Sequence, residues 1–260
     1  MSRSYSVSKI DGYGRCPKQY WFRNVARMPE PPRSNMLLGT AVHAGVEAFV
    51  RNILDTGEVS ILLAGKAAEA AWDREVKKVG AEKIEWASDK RSKWTDTAQA
   101  CRRDARAMAE LWATEVGQHD SWEAAELSLS LPLDGAEGPR LTGRLDLKLA
   151  DGGIDEIKTS RQAWAEGADE LSAQAAAYPL MAGRGEGSGQ VRFDVVIRHT
   201  RKAGTEYEVQ RLGPIEITAR RQADYLDDAR QTVAGIEAGL FPRRVSAMNC
   251  NGCAFRATCL

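Results

Sequence analysis

Asp146, Glu156 and Lys158 stand within the stretch GRLDLKLADGGIDEIKTS, residues 143–160, at a spacing that can bring two carboxylates and an ammonium together. Side chains alternate along a strand, so Glu156 and Lys158 project from one face, roughly 6–7 Å apart along it, and Asp155 from the other. A tight turn through Gly152-Gly153 folds the strand of Asp146 back so that Asp146 faces Glu156. Two carboxylates that close repel unless a cation lies between them, and hard oxygen ligands select Mg²⁺ or Mn²⁺. A lysine beside them holds or polarises water. Phosphodiester hydrolysis demands this set: a metal neutralises charge on the phosphate and makes hydroxide available near neutral pH. Taken alone, the same residues also describe a polar strand face with a Glu–Lys pair.

Further residues fit the same chemistry. Gly39-Thr40-Ala41-Val42-His43 opens a helix with a histidine one turn in, and its imidazole can complete a metal site. Gln174 and Tyr178, four residues apart in a helical stretch, share a face. Cys250, Cys253 and Cys259 form a CxxC-x5-C cluster that lacks a fourth ligand, for which Cys16 is the candidate; Cys101, in a helical stretch, is the spare. Thiolates at this spacing suit either tetrahedral Zn²⁺ or an iron-sulfur cluster.

The elements that must hold these residues follow from periodicity and breakers. Ser8 is placed to N-cap a helix over 9–15 that Pro17 ends, and 28–34, MPEPPRS, reads as a linker. A helix from near Gly39 carries Val42, Val46, Phe49, Val50, Ile53 and Leu54 as one stripe, with His43 beside it. Residues 62–116 read as two or three helices with a polar break near 88–97, where Lys90, Arg91, Lys93 and Trp94 form a patch able to touch DNA. From Glu126 the period becomes two: Leu127, Leu129, Leu131 and Leu133, then Leu141, Gly143, Leu145, Leu147 and Leu149 on one face, then a strand over 154–159. A helix over 168–182, a glycine-rich loop over 183–189, strands over 191–198 and 205–212, and a helix from Gly213-Pro214 to near Gly239 complete the chain. The class is α/β.

Lys+Arg and Asp+Glu both number 36, so there is no global positive field, and a polyanion must be held locally. Arg15, Lys18, Arg23, Arg27, Arg243, Arg244 and Arg256 are candidates for that. No apolar run approaches the ~18 residues of a membrane span, and the first residues lack a signal-peptide core. The expected compartment is the cytoplasm, where five cysteines favour metal binding over disulfides. No GxxxxGK[ST] phosphate loop occurs, so no helicase motor is expected in this chain.

The series LLGTAVH, TGRLDL, IDEIKTS and QAAAY, in this order, resembles the RecB family of PD-(D/E)xK nucleases. The resemblance implies a restriction-endonuclease-like core, a mixed sheet flanked by helices, with a helical insertion. It implies that His43, Asp146 and Glu156 bind the metal with the carbonyl of Ile157, that Lys158 is catalytic, and that Gln174 and Tyr178 help position DNA. Glu126 lies where such nucleases often carry an acidic residue. CPKQY at 16–20 and the ending LFPRRVSAMNCNGCAFRATCL are similar to the iron-sulfur subgroup, which includes CRISPR-associated exonucleases and the AddB subunit of recombination nucleases. The resemblance therefore implies a [4Fe-4S] cluster on Cys16, Cys250, Cys253 and Cys259, closing the two ends of the chain.

A single nuclease domain is expected, with a cluster arm over 1–35, a helical part over 36–122, the core over 123–212 and a C-terminal helix with the cysteines over 213–260. The expected activity is a Mg²⁺- or Mn²⁺-dependent exonuclease on single-stranded DNA or free ends. It would serve recombination, repair or the processing of foreign or phage DNA, with recombination, CRISPR-adaptation or phage replication proteins as partners and no membrane. An endonuclease or nickase using the same site, or a non-catalytic DNA-binding subunit, are the alternatives.

Overall fold

A computed structural model describes residues 3–89, 94–183, 189–201 and 204–260. Lys90, Arg91 and Lys93 of the basic patch, and most of the glycine-rich loop, lie outside the described residues.

The chain opens with a strand absent from the sequence reading, β1 (Ser4–Ser6), followed by helix α1 (Val7–Arg15). Ser6, not Ser8, caps α1: its extended backbone lets its hydroxyl accept from Lys9 N at 3.2 Å. Pro17 starts the short helix α2 (Pro17–Tyr20) at a position where its missing N–H costs nothing. Helix α3 (Ser34–Thr56) begins five residues before Gly39 and ends on Gly57, at a left-handed φ of 75°. Its stripe of Val42, Val46, Phe49 and Val50 is buried, whereas Leu54 is exposed. Helix α4 (Ile61–Val79), a small hairpin of β2 (Ser88–Asp89) with β3 (Trp94–Thr95), and helix α5 (Ala98–Trp112) fill the helical region.

Then come β4 (Trp122–Pro132), β5 (Arg140–Leu149), β6 (Ile154–Ser160), α6 (Ala173–Met181), β7 (Gly189–Arg201), β8 (Gly204–Ile217) and α7 (Ala219–Glu237). Helix α6 starts at Ala173 rather than 168, because residues 166–171 form turns and Ser172 caps the helix in extended backbone. Gly213-Pro214 does not open a helix. It sits in β8 at a register shift opposite Val191 and Phe193, and an edge strand tolerates proline there. Helix α7 begins instead after Thr218, whose hydroxyl accepts from Arg221 N. Two short helices, α8 (Ala247–Cys250) and α9 (Arg256–Cys259), carry the terminal cysteines.

The result is a mixed α/β fold with a six-stranded mixed sheet in the order β1-β5-β6-β7-β8, and β4 on the other edge of β5. One apolar cluster joins α3, α4 and α5 to the sheet through Phe49, Trp72, Met108, Trp112 and Ile157. A second joins α6 and α7 to it through Tyr178, Phe193, Ala229 and Val233. The leucines of β5, expected on one face, divide: Leu141 and Leu145 join the second cluster, Leu147 and Leu149 the first. The division falls at Asp146, next to Glu126 of β4, whose φ of 56° departs from extended strand. No helix among the described residues is long and apolar enough to cross a membrane.

One edge of β5 is shared. Its start pairs parallel with β1, through Arg140, Leu141 and Thr142, and its end pairs antiparallel with β6, through Leu147–Asp155 and Lys148–Ile154. Residues 143–146 have no strand on that edge. Backbone polar groups left so must find other partners.

Candidate active site

The site is built in this gap. Asp146 N donates to Glu156 Oε1 at 3.1 Å, and Tyr178 Oη donates to Arg144 O at 3.0 Å, so side chains take the place of the missing strand. The Asp146 carboxylate in turn accepts from Ile157 N at 2.9 Å and lies 3.1 Å from His43 Nδ1. Lys158 Nζ donates to Glu156 Oε2 at 3.0 Å, and Gln174 Nε2 donates to the same oxygen at 2.9 Å and to Tyr178 Oη at 3.0 Å. His43, Asp146, Glu156, Lys158, Gln174 and Tyr178 thus converge from α3, β5, β6 and α6. Ile157 contributes its backbone and buries its side chain in the helical cluster.

Two motif glycines permit these approaches. A Cβ on Gly39 would stand 3.0 Å from Thr159 Oγ1, so α3 lies close over the end of β6. A Cβ on Gly143 would stand 2.7 Å from the Tyr178 ring, which fills the space a side chain there would need. Glu126, the weaker candidate, belongs to the site: its carboxylate and the ligand atoms of His43 and Asp146 all lie within 4.8 Å of one another. Its left-handed backbone aims it inward, a strain found at functional positions. Arg144 pairs with Glu126 at the mouth and was missed in the sequence; its even spacing from Asp146 along β5 was the signal that could have found it.

The electrostatics are those of crowded carboxylates. Burial, and then the Asp146 charge, push the Glu156 carboxyl up to about 8. Burial also pushes Asp146 upward, but the neighbouring His43 and Lys158 outweigh it and hold the carboxyl below its ordinary value. Burial disfavours the Lys158 ammonium, yet Glu156 and Asp146 outweigh that and keep it charged. His43 follows the same pattern, with Asp146 raising it above its usual value. Burial and Asp146 raise Glu126. Carboxylates forced together with an imidazole, in front of a cleft of about 560 Å³ walled by Thr40, Glu47 and Arg144, fit a divalent cation.

Residues 4–260 match the sequence family described as the PD-(D/E)XK nuclease superfamily. The chain belongs to the PD-(D/E)XK nuclease superfamily. Nucleases of this superfamily typically use divalent metals, in agreement with the donor set of the cleft. Among solved structures, this nuclease is similar to a protein of Eubacterium rectale described as a "putative exonuclease". The two align with a TM-score of 0.55 at 12% identity, over 95% of this chain and 86% of that one, which shows a shared fold. The structure of a protein named SSO0001 aligns at a TM-score of 0.38 and 13% identity, over 97% of this chain and 92% of that one. No curated protein matches the chain.

The four cysteines predicted as a set, Cys16, Cys250, Cys253 and Cys259, line one cavity, with Phe22 and Phe255 packed beside them at a ring separation of 5.2 Å. None is in a disulfide. Cys101 is apart from them, fully buried beside Arg198, and burial pushes its thiol up to about 12. Much of the expected basic set is engaged internally: Arg15 with Asp11, Arg23 with Glu30, Arg244 with the carbonyl of Gly14, and Lys18 over the Trp21 ring. Trp94 of the patch lies under the Arg161 guanidinium at 4.1 Å.

Proposed function

We propose that this nuclease is a Mg²⁺- or Mn²⁺-dependent DNA exonuclease that prefers single strands, acting in DNA recombination, repair or the processing of foreign or phage DNA. The observation that carries the reading is the convergence of His43, Asp146, Glu156 and Lys158 in the gap along β5. His43, Asp146 and Glu156, with the Ile157 carbonyl and Glu126 beside them, would hold the ion. When bound, the ion supplies charge neutralisation at the scissile phosphate and an activated water. Lys158, whose two carboxylate neighbours keep it protonated, orients water or a phosphate oxygen by donating a hydrogen bond; it does not accept a proton near neutral pH. Gln174 and Tyr178 hold Glu156 and the Arg144 backbone in register for that task.

End-labelled single-stranded and duplex DNA, incubated with Mg²⁺ or Mn²⁺ beside a closed circle, tests this. Stepwise shortening of the linear strand with the circle intact is expected. Loss of the circle at the linear rate would replace exonuclease by endonuclease, and no cleavage of either would overturn the nuclease reading.

We further propose that Cys16, Cys250, Cys253 and Cys259 hold a [4Fe-4S] cluster that ties residues more than two hundred apart in sequence. Closing so long a loop removes unfolded-state entropy. The free thiols suit a reducing compartment, and the cytoplasm is the proposed one. Anaerobically purified protein should be brown with about four irons per chain; colourless protein with one zinc would overturn the cluster.

A further inference from the structure

A second cavity, of about 490 Å³, opens on the other side of Arg144 from the carboxylate cleft, between α1, β5 and the segment that leads into α6. Gln174 and Tyr178 stand in its wall, so the cavity begins where Glu156 is held. Its volume is in the range of small-molecule sites, ~300–1,000 Å³, and suits one nucleoside.

Trp164 and Leu171 are among the apolar side chains that line it. Trp164 is fixed: Gln210 accepts from its backbone N–H at 2.7 Å and donates to its carbonyl at 3.1 Å, while its ring packs on Phe193 at 5.6 Å. Phe193 also lies under Lys158 Nζ at 5.7 Å, so the indole is one ring removed from the catalytic ammonium. Leu171 stands at the lip with 87% of its surface exposed, a large apolar side chain left in solvent beside a polar cleft. Arg144, mostly exposed, lines both this cavity and the carboxylate cleft and offers a phosphate a cation, while the hydroxyls of Ser6 and Ser8 can meet the polar edge of a base.

Resting on the nuclease reading above, we propose that this cavity binds one unpaired nucleotide next to the scissile phosphate, its phosphate toward Arg144 and its base against Trp164 and Leu171. A rigid aromatic wall stacks any base, at about 1–3 kcal/mol per base. The cavity is half-open and takes about one base, which a base in a duplex can reach only by leaving its partner, so single strands or frayed ends are favoured.

The test is an abasic scan. A short single-stranded DNA, bound in EDTA so that cutting is blocked, has each base in turn replaced by an abasic residue, and affinity is read by fluorescence anisotropy. One position should lose about tenfold, within the range of a base–aromatic stack. That position-specific loss should shrink in Leu171→Ala, whose exposed side chain supports no packing, and in Trp164→Ala. A DNA bound by the wild type with equal affinity at every abasic position would overturn the pocket while leaving the nuclease reading intact. A penalty that persists unchanged in both variants would move the base elsewhere and equally overturn it. Failure to cut DNA with any divalent metal would instead remove the reading on which the pocket rests.

Discussion

Asp146 and Glu156 each bind the other's strand by its backbone. Asp146 N donates to Glu156 Oε1 at 3.1 Å, and Ile157 N donates to Asp146 Oδ2 at 2.9 Å. The carboxylates are therefore structural ties before any metal is bound, and their removal separates two effects. Glu156→Gln keeps an acceptor for Asp146 N and removes the charge. It should lower cleavage by roughly 10³-fold, the scale of a lost electrostatic contribution to the transition state, and lower the melting temperature of the metal-free protein, because the new amide nitrogen meets the Lys158 and Gln174 donors. Residual cleavage near the wild-type rate would remove Glu156 from the site.

The raised Glu156 carboxyl makes stability depend on pH. In the unfolded chain it titrates near its ordinary value, about 4.5, and in the folded metal-free protein near about 8. Between those values the folded state binds the extra proton, so stability falls as pH rises through this window, on the order of a few kcal/mol. Thermal melts in EDTA should therefore show Tm falling from pH 5 to pH 8, and Glu156→Gln should flatten much of that slope. Mn²⁺ should raise Tm most at the alkaline end, where the bare carboxylates repel. A flat profile in EDTA would contradict the proposed protonation.

Lys158→Ala removes the ammonium that donates to Glu156 Oε2. The loss of cleavage should be about 10²–10³-fold, as for removal of one positioned hydrogen-bond donor to developing charge, while Mn²⁺ binding by calorimetry persists. If metal binding vanished along with cleavage, Lys158 would be a structural partner of Glu156 alone.

Tyr178→Phe leaves the Arg144 carbonyl without its donor in the gap along β5. A fully buried unmet acceptor costs about 1–3 kcal/mol, and this part-buried one should cost less than that, which urea melts would read. The loosened register of β5 should also lower kcat on single-stranded DNA.

Asp96 makes no direct bond in the carboxylate site among the described residues but anchors the helix that brings His43. It accepts from Ser34 at the start of α3 at 2.7 Å, from Arg161 just past β6 at 3.1 Å, and from the buried Arg198 of β7 at 3.0 Å. Asp96→Ala should destabilise the fold by about 3–5 kcal/mol, because it strips a buried arginine of one of its counter-charges. A loss below about 1 kcal/mol in chemical denaturation would show Asp104 to be sufficient alone.

The local pattern carried much of this molecule. Alternation around Gly152-Gly153 gave the hairpin and put Glu156 and Lys158 together, and four-residue spacing paired Gln174 with Tyr178, because both periods are properties of the backbone. Strand β1, three residues long, has no period to detect, and the Pro214 signal misled because a bulged edge strand tolerates what normally opens a helix. The sequence by itself determined which side chains carry charge, thiol and imidazole, and which neighbours along one element share a face. Only the tertiary structure decided that β1 and β6 share one edge of β5 and leave residues 143–146 unpaired there. That gap is the reason the site exists where it does: unpaired backbone groups in a buried sheet need partners, and Glu156 and Tyr178, distant in sequence from Arg144 and Asp146, supply them.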